Sequence, residues 1–146
     1  MFIVRLVIIA FILLETSNIL AMYFMPDTKY ANAMGIFRAW EKSKQDPEIH
    51  NLVQYLVNWV AGTKFIFILL LIMILFHGDD NLLILTAITM GLAISLFYWR
   101  LFPLIRQMDE TGNIEPKNYS YKLGWMIGMF IVTFLGAVLL VKLNIF

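Results

Sequence analysis

Two side chains of opposite charge stand inside long apolar runs, and these are the residues best placed to do chemistry. Glu15 lies within "FILLETSNIL", residues 11–20, and Lys64 is followed at once by "FIFILLLIMILF". An ionisable group in such surroundings has to be neutralised, paired or reached by water. Glu15 is thirteen residues beyond Phe2 and nine before Phe24, and Lys64 is twelve before Phe76. At about 1.5 Å per helical residue, Glu15 stands about 13 Å from the end of its run, near mid-depth of a bilayer. If the two runs are neighbouring antiparallel helices, the carboxylate and the ammonium meet at the same level.

Helical spacing adds candidates to this pair. Asn18 follows Glu15 by three residues and shares its face, while Val57 and Ala61 share the face of Lys64. With Asn58, the set Glu15, Asn18, Asn58 and Lys64 reads as a polar seam inside a bundle. Such a seam can fix helix register as a satisfied network, or it can act as a protonation switch or ion site in a transport path.

Other groups with chemical potential are sparse. His50 and His77 lie at opposite ends of one apolar helix, too far apart to share a haem or a zinc ion. Asp79-Asp80 and Asp109-Glu110 are adjacent acids in turns or loops, which read as solvated. No GxSxG, P-loop, HExxH or GxGxxG pattern occurs. The sequence holds no cysteine, which removes disulfides, thiol redox chemistry and thiolate metal sites. No catalytic residue, metal or cofactor is assigned, and an enzyme is the least favoured class.

The elements that position the pair follow from composition. Of 146 residues, 61% are hydrophobic and 14% charged, and the mean hydropathy is +0.79. A soluble domain carries about 45–50% apolar and about 25% charged residues, so the chain reads as a polytopic membrane protein. A net charge of +1 offers no field for nucleic acid. Four stretches are long enough to cross about 30 Å of hydrocarbon: 2–24, 54–76, 81–102 and 122–143. The first begins "MFIVRLVIIAFILL" and stays apolar to Phe24 apart from the polar cluster, so it reads as a retained span rather than a cleaved leader. The predicted fold is all-α: one domain over 1–146, a four-transmembrane-helix antiparallel bundle.

Boundary markers agree with these spans. Met25-Pro26 closes the first. Asp46-Pro47-Glu48 has the form of a helix start, so the second helix is expected to begin near 47, ahead of the hydrocarbon. His77–Asp80 reads as a tight turn, and Pro103 is expected to end or kink the third helix. Tyr30, Ala33, Met34, Phe37 and Trp40 recur every three or four residues, which predicts a short amphipathic interfacial helix over 28–44. The loop after the third span reads as a turn followed by a short extended piece.

Basic residues predict the orientation. Lys29, Arg38, Lys42, Lys44, Arg100, Arg106, Lys117 and Lys122 fall in the two long loops or at their edges, against Arg5 and Lys142 on the opposite side. This places the long loops in the cytoplasm and both termini outside. Arg100 and Arg106, next to Tyr98 and Trp99, read as interfacial anchors that could also contact headgroups or anions. Ala87, Gly91 and Ser95 on the third span, and Gly124 and Gly128 on the fourth, form small-residue rows that predict close packing of those helices or of subunits.

The function expected from these features is that of a structural or accessory subunit of a membrane complex or homo-oligomer. Its partners would be membrane lipids and other subunits or copies of itself. The alternatives are a small transporter or channel using Glu15 and Lys64, and a protein binding lipid or another apolar ligand between its helices.

Overall fold

The structure is a computed structural model and describes residues 1–30 and 33–143. Four helical rods are long and apolar enough to cross a membrane: Phe2–Phe24, Pro47–His77, Asp80–Glu110 and Tyr119–Lys142. We label the helices α1 (Phe2–Phe24), α2 (Arg38–Ser43), α3 (Pro47–His77), α4 (Asp80–Ser95), α5 (Phe97–Glu110) and α6 (Tyr119–Lys142).

Local chemistry sets their ends. The Asp46 carboxylate accepts from the amides of Glu48 and Ile49 at 3.0 and 3.3 Å, with Pro47 first in the helix, and so starts α3 well ahead of its apolar stretch. Asp79 caps α4 through the Leu82 amide at 2.8 Å. Asp109 serves the start of α6, where the Asn118 and Ser120 amides and the Ser120 hydroxyl donate to it at 3.1, 2.9 and 2.7 Å. Two of the acids read from sequence as solvated are therefore helix caps.

Of the two outcomes expected at Pro103, an end or a kink, the third rod does not show the end. Helix α5 runs through Pro103 to Glu110 instead of ending there, and the interruption falls at Leu96. Around it the ladder tightens to three-residue spacing, with Leu96 N–H on the Ala93 carbonyl and Trp99 N–H on the Leu96 carbonyl. The change lies seven residues before Pro103, one turn beyond the Trp99 carbonyl that the proline ring crowds and leaves without its amide.

The main pairings are α1 with α3 and α4 with α6, and α1 also contacts α6. Although a tight turn joins α3 to α4, the two barely touch. Where the pairs meet, Phe11 presents its ring edge-on to Phe130 and Phe134, at centroid distances of 5.7 and 5.5 Å. Phe134 is 1% exposed, whereas Ile66, Leu70 and Met129 on the outer surface are 57–63% exposed. Apolar residues facing outward at this density suit hydrocarbon rather than water.

The two long loops meet at one end of the bundle and build a cap. Phe37 and Ile114 form an isolated antiparallel bridge, with Arg38 N–H on the Asn113 carbonyl at 3.0 Å and Glu115 N–H on the Ile36 carbonyl at 2.9 Å. Beneath it Ile36, Ile105, Ile114 and Leu123 form a second apolar cluster. This pairing explains why the helix expected over 28–44 is not continuous. The described part contains a 3-10 turn at Met34–Ile36, an extended Phe37 and the six-residue α2, while residues 31 and 32 lie outside the described residues. Gly35 sits where any Cβ would overlap the Asp27 and Thr28 carbonyls, which closes the turn against Pro26. Trp40, 3% exposed, is turned into the cap and not toward the headgroup plane.

Ion pairs tie the cap together. Glu115 accepts from Arg38 at 2.8 Å and from Lys29 at 3.1 Å, and these two cations hold its carboxyl below the usual range. Asp27 accepts from Lys44 and from the Trp40 indole, both at 2.6 Å, and is lowered by them in that order. Lys44 is raised by Asp27 and Glu41. For depressed carboxylates the stabilisation is present above their unfolded values and disappears as pH falls through the folded ones. For the raised lysine it is present below its unfolded value and is lost as pH climbs past the folded one. The cap should thus be tight from about pH 5 to about pH 10 and loosen in acid. Amide hydrogen exchange over residues 33–43 and 111–118, corrected for intrinsic rates, should accelerate below about pH 4. Glu115→Gln should show the faster exchange already at neutral pH. Protection unchanged down to about pH 3 would show that these pairs contribute nothing to the cap.

Candidate functional site

The buried stripe of α1 runs through Val4, Ile8, Phe11, Ile19 and Met22, and that of α3 through Val57, Ala61, Ile68 and Leu71. Glu15 and Lys64 fill the intervening positions of those same stripes, so helix periodicity alone aims both into the α1–α3 seam. Ala61, fully buried, lets the backbones approach one turn away. Lys64 Nζ donates to Glu15 Oε2 at 2.9 Å, and Asn18 Nδ2 donates to the same oxygen at 3.4 Å.

The seam is open on one side. The Glu15 and Lys64 side chains keep 20% and 33% of their exposure, so the pair is half-buried and not enclosed as the sequence suggested. Asn58 does not join it. It is exposed and makes no side-chain hydrogen bond among the described residues, because six residues from Lys64 is about 120° around the helix. Ser17 and Thr63, also exposed, return their hydroxyl protons to the Leu14 and Trp59 carbonyls at 2.6 and 3.0 Å. Those hydroxyls tolerate an apolar medium, whereas among the described residues the pair has only the Asn18 amide beside it to fill the rest of its hydrogen-bonding capacity.

Arg5 is a partner that the sequence reading missed. Its guanidinium donates from Nη1 to the Leu75 carbonyl at 2.8 Å and from Nη2 to the Gly78 carbonyl at 3.5 Å. A cation there satisfies free carbonyls and complements the negative end of α3. The signal was available in the depth arithmetic used for Glu15: an arginine one turn into α1 lies level with the end of an antiparallel α3.

The remaining predicted residues are dispersed. Arg106 pairs with Glu110 at 2.8 Å and lies over the Tyr121 ring, while Arg100 lies over Trp99. The two arginines are six residues apart and point about 120° from each other along α5. The small-residue rows do not face one another. Gly91 receives Leu135, whose Cδ2 would lie 3.0 Å from an added Cβ, and Ala87 is buried, but Ser95 is exposed. Gly124 and Gly128 receive Phe102 and Tyr98 from α5, and the Tyr98 hydroxyl donates to the Gly124 carbonyl at 2.6 Å. Among the described residues, no three His, Cys, Asp or Glu side chains gather as metal ligands.

Four apolar rods and an outward-facing apolar surface define an integral membrane protein. No protein-family model, curated protein or solved structure matches the chain.

Removing one member of an enclosed pair costs about 3–5 kcal/mol, because the other charge is left stranded. With one side open, Glu15→Gln should cost about 2–3 kcal/mol. The double variant Glu15→Gln/Lys64→Met should lose less than Glu15→Gln alone. Denaturation in mixed micelles measures this cycle, and strictly additive losses would mean that the two side chains do not stabilise one another.

Proposed function

We propose that the chain is a non-catalytic subunit of a membrane assembly, with its long loops in the cytoplasm, and that the α1–α3 face receives a transmembrane helix of another subunit. The observation that supports this is the residual exposure of a carboxylate and an ammonium at mid-depth. Lipid tails offer such groups no hydrogen bonds, whereas a neighbouring helix can supply small and polar residues that do. The orientation follows from the excess of lysine and arginine in the two loops that form the cap.

A second reading, a small transporter or channel, is favoured by the same exposure if water reaches the pair. One experiment separates the two. Because the sequence has no cysteine, Asn18→Cys, about 60° around α1 from Glu15 and partly exposed, can carry a benzophenone maleimide in native membranes. A polypeptide adduct is expected from Asn18→Cys and not from Val132→Cys on the outer face of α6. A doubled mass would identify a second copy, and another mass a different subunit. Only unmodified monomer or lipid adducts from Asn18→Cys would overturn the subunit reading and leave the wetted pair.

A further inference from the structure

The cap carries a cleft that neither the charged pair nor the predicted arginines account for. It measures about 630 Å³ and is bordered by Lys29, Arg38, Lys117 and Lys122, with Glu115 as its one carboxylate and Tyr119 on its wall. Glu115 is already engaged by Lys29 and by Arg38 Nε and Nη2. Arg38 Nη1 takes no part in that contact, and neither Lys117 nor Lys122 forms an ion pair among the described residues. The Glu115 contacts thus hold two cations in position while three sets of donors still face the opening.

Its depth is set by α6. Lys122 stands in the first turn of that helix, and Trp125, 76% exposed, follows three residues later. Exposed tryptophan at the start of a span marks the headgroup level. A cleft whose cations stand at that level, with apolar helix beginning about 4–5 Å deeper, is matched to a phosphate whose attached chains run down along the bundle. Its volume is within the usual range for a ligand site, about 300–1,000 Å³.

We infer that this cleft binds the phosphate of an anionic phospholipid headgroup, held by Lys117, Lys122 and Arg38, with Glu115 fixing Lys29 and Arg38. The site differs from one at Arg100 and Arg106, whose guanidinium groups diverge. It also stands apart from the subunit reading, because it lies in the loop cap and not on the α1–α3 face.

The test uses the full chain in a neutral detergent, titrated separately with dihexanoyl phosphatidic acid, dihexanoyl phosphatidylcholine and inorganic phosphate while the thermal midpoint is followed. Phosphatidic acid should raise the midpoint saturably, and the zwitterionic lipid should not. Lys117→Gln/Lys122→Gln should raise the half-saturating concentration about twenty-five-fold, at about fivefold per surface cation. Lys142→Gln, at the opposite end of α6, should leave it unchanged. Native mass spectrometry of the unsubstituted chain with both lipids at equal concentration should retain phosphatidic acid preferentially, a readout that does not depend on how the variants fold. Equal stabilisation by both lipids, or an unchanged response in the double variant, would overturn the site. Saturation by inorganic phosphate at concentrations comparable with phosphatidic acid would overturn the lipid and leave a soluble anion.

Discussion

A carboxylate and an ammonium inside long apolar helices have to be neutralised, wetted or paired, and here their pairing ties α1 to α3. The position next to Glu15 or Lys64 on its own helix lies about 1.5 Å along the axis and about 100° around it, so a neighbouring residue could not make the same contact. The contact between Lys64 and Glu15 therefore specifies both depth and rotation, which apolar packing alone specifies weakly in lipid. The docking of Arg5 on the end of α3 sets the same register a second time, ten residues away along α1. Two polar contacts on one helix pair act together as a gauge of alignment, and the seam of Ile8, Phe11, Ala61 and Ile68 fills in around them.

The other half of the molecule is organised differently. Helices α4, α5 and α6 have no charged contact at depth; they interlock by shape, with Leu135 over Gly91 and with Phe102 and Tyr98 over Gly124 and Gly128. Their ends are fixed outside the hydrocarbon by Asp79 and Asp109. The loop cap joins the halves, because residues 25–46 follow α1 while Ile114 and Glu115 precede α6. Ion pairs suit this position, where water tempers both their cost and their strength.

Much of this architecture could be read from local signals. The four spans follow from apolar length, the start of α3 from Asp46-Pro47, and the level of Glu15 and Lys64 from counting residues. Choices among distant partners were not legible. Nothing near Phe37 announces that it will pair with Ile114, and that pairing breaks a stripe which by itself looks like one helix. Nothing in Asp109 distinguishes a solvated acid from one that caps a helix nine residues on. Small-residue rows reveal that something approaches closely, not whether it is a facing glycine or an inserted ring. Asn58 fails for a simpler reason: it lies about 120° around α3 from Lys64, off the seam.

Exchanging the charges tests the alignment most directly. Glu15→Lys and Lys64→Glu, made singly, each place like charges together at mid-depth, and each should abolish accumulation of folded protein in the membrane. The double exchange restores attraction with the polarity reversed, and it should return folded protein to a substantial fraction of the unsubstituted level. A single exchange that accumulates normally, or a double exchange no better than its parents, would contradict the claim that these two side chains hold α1 and α3 together.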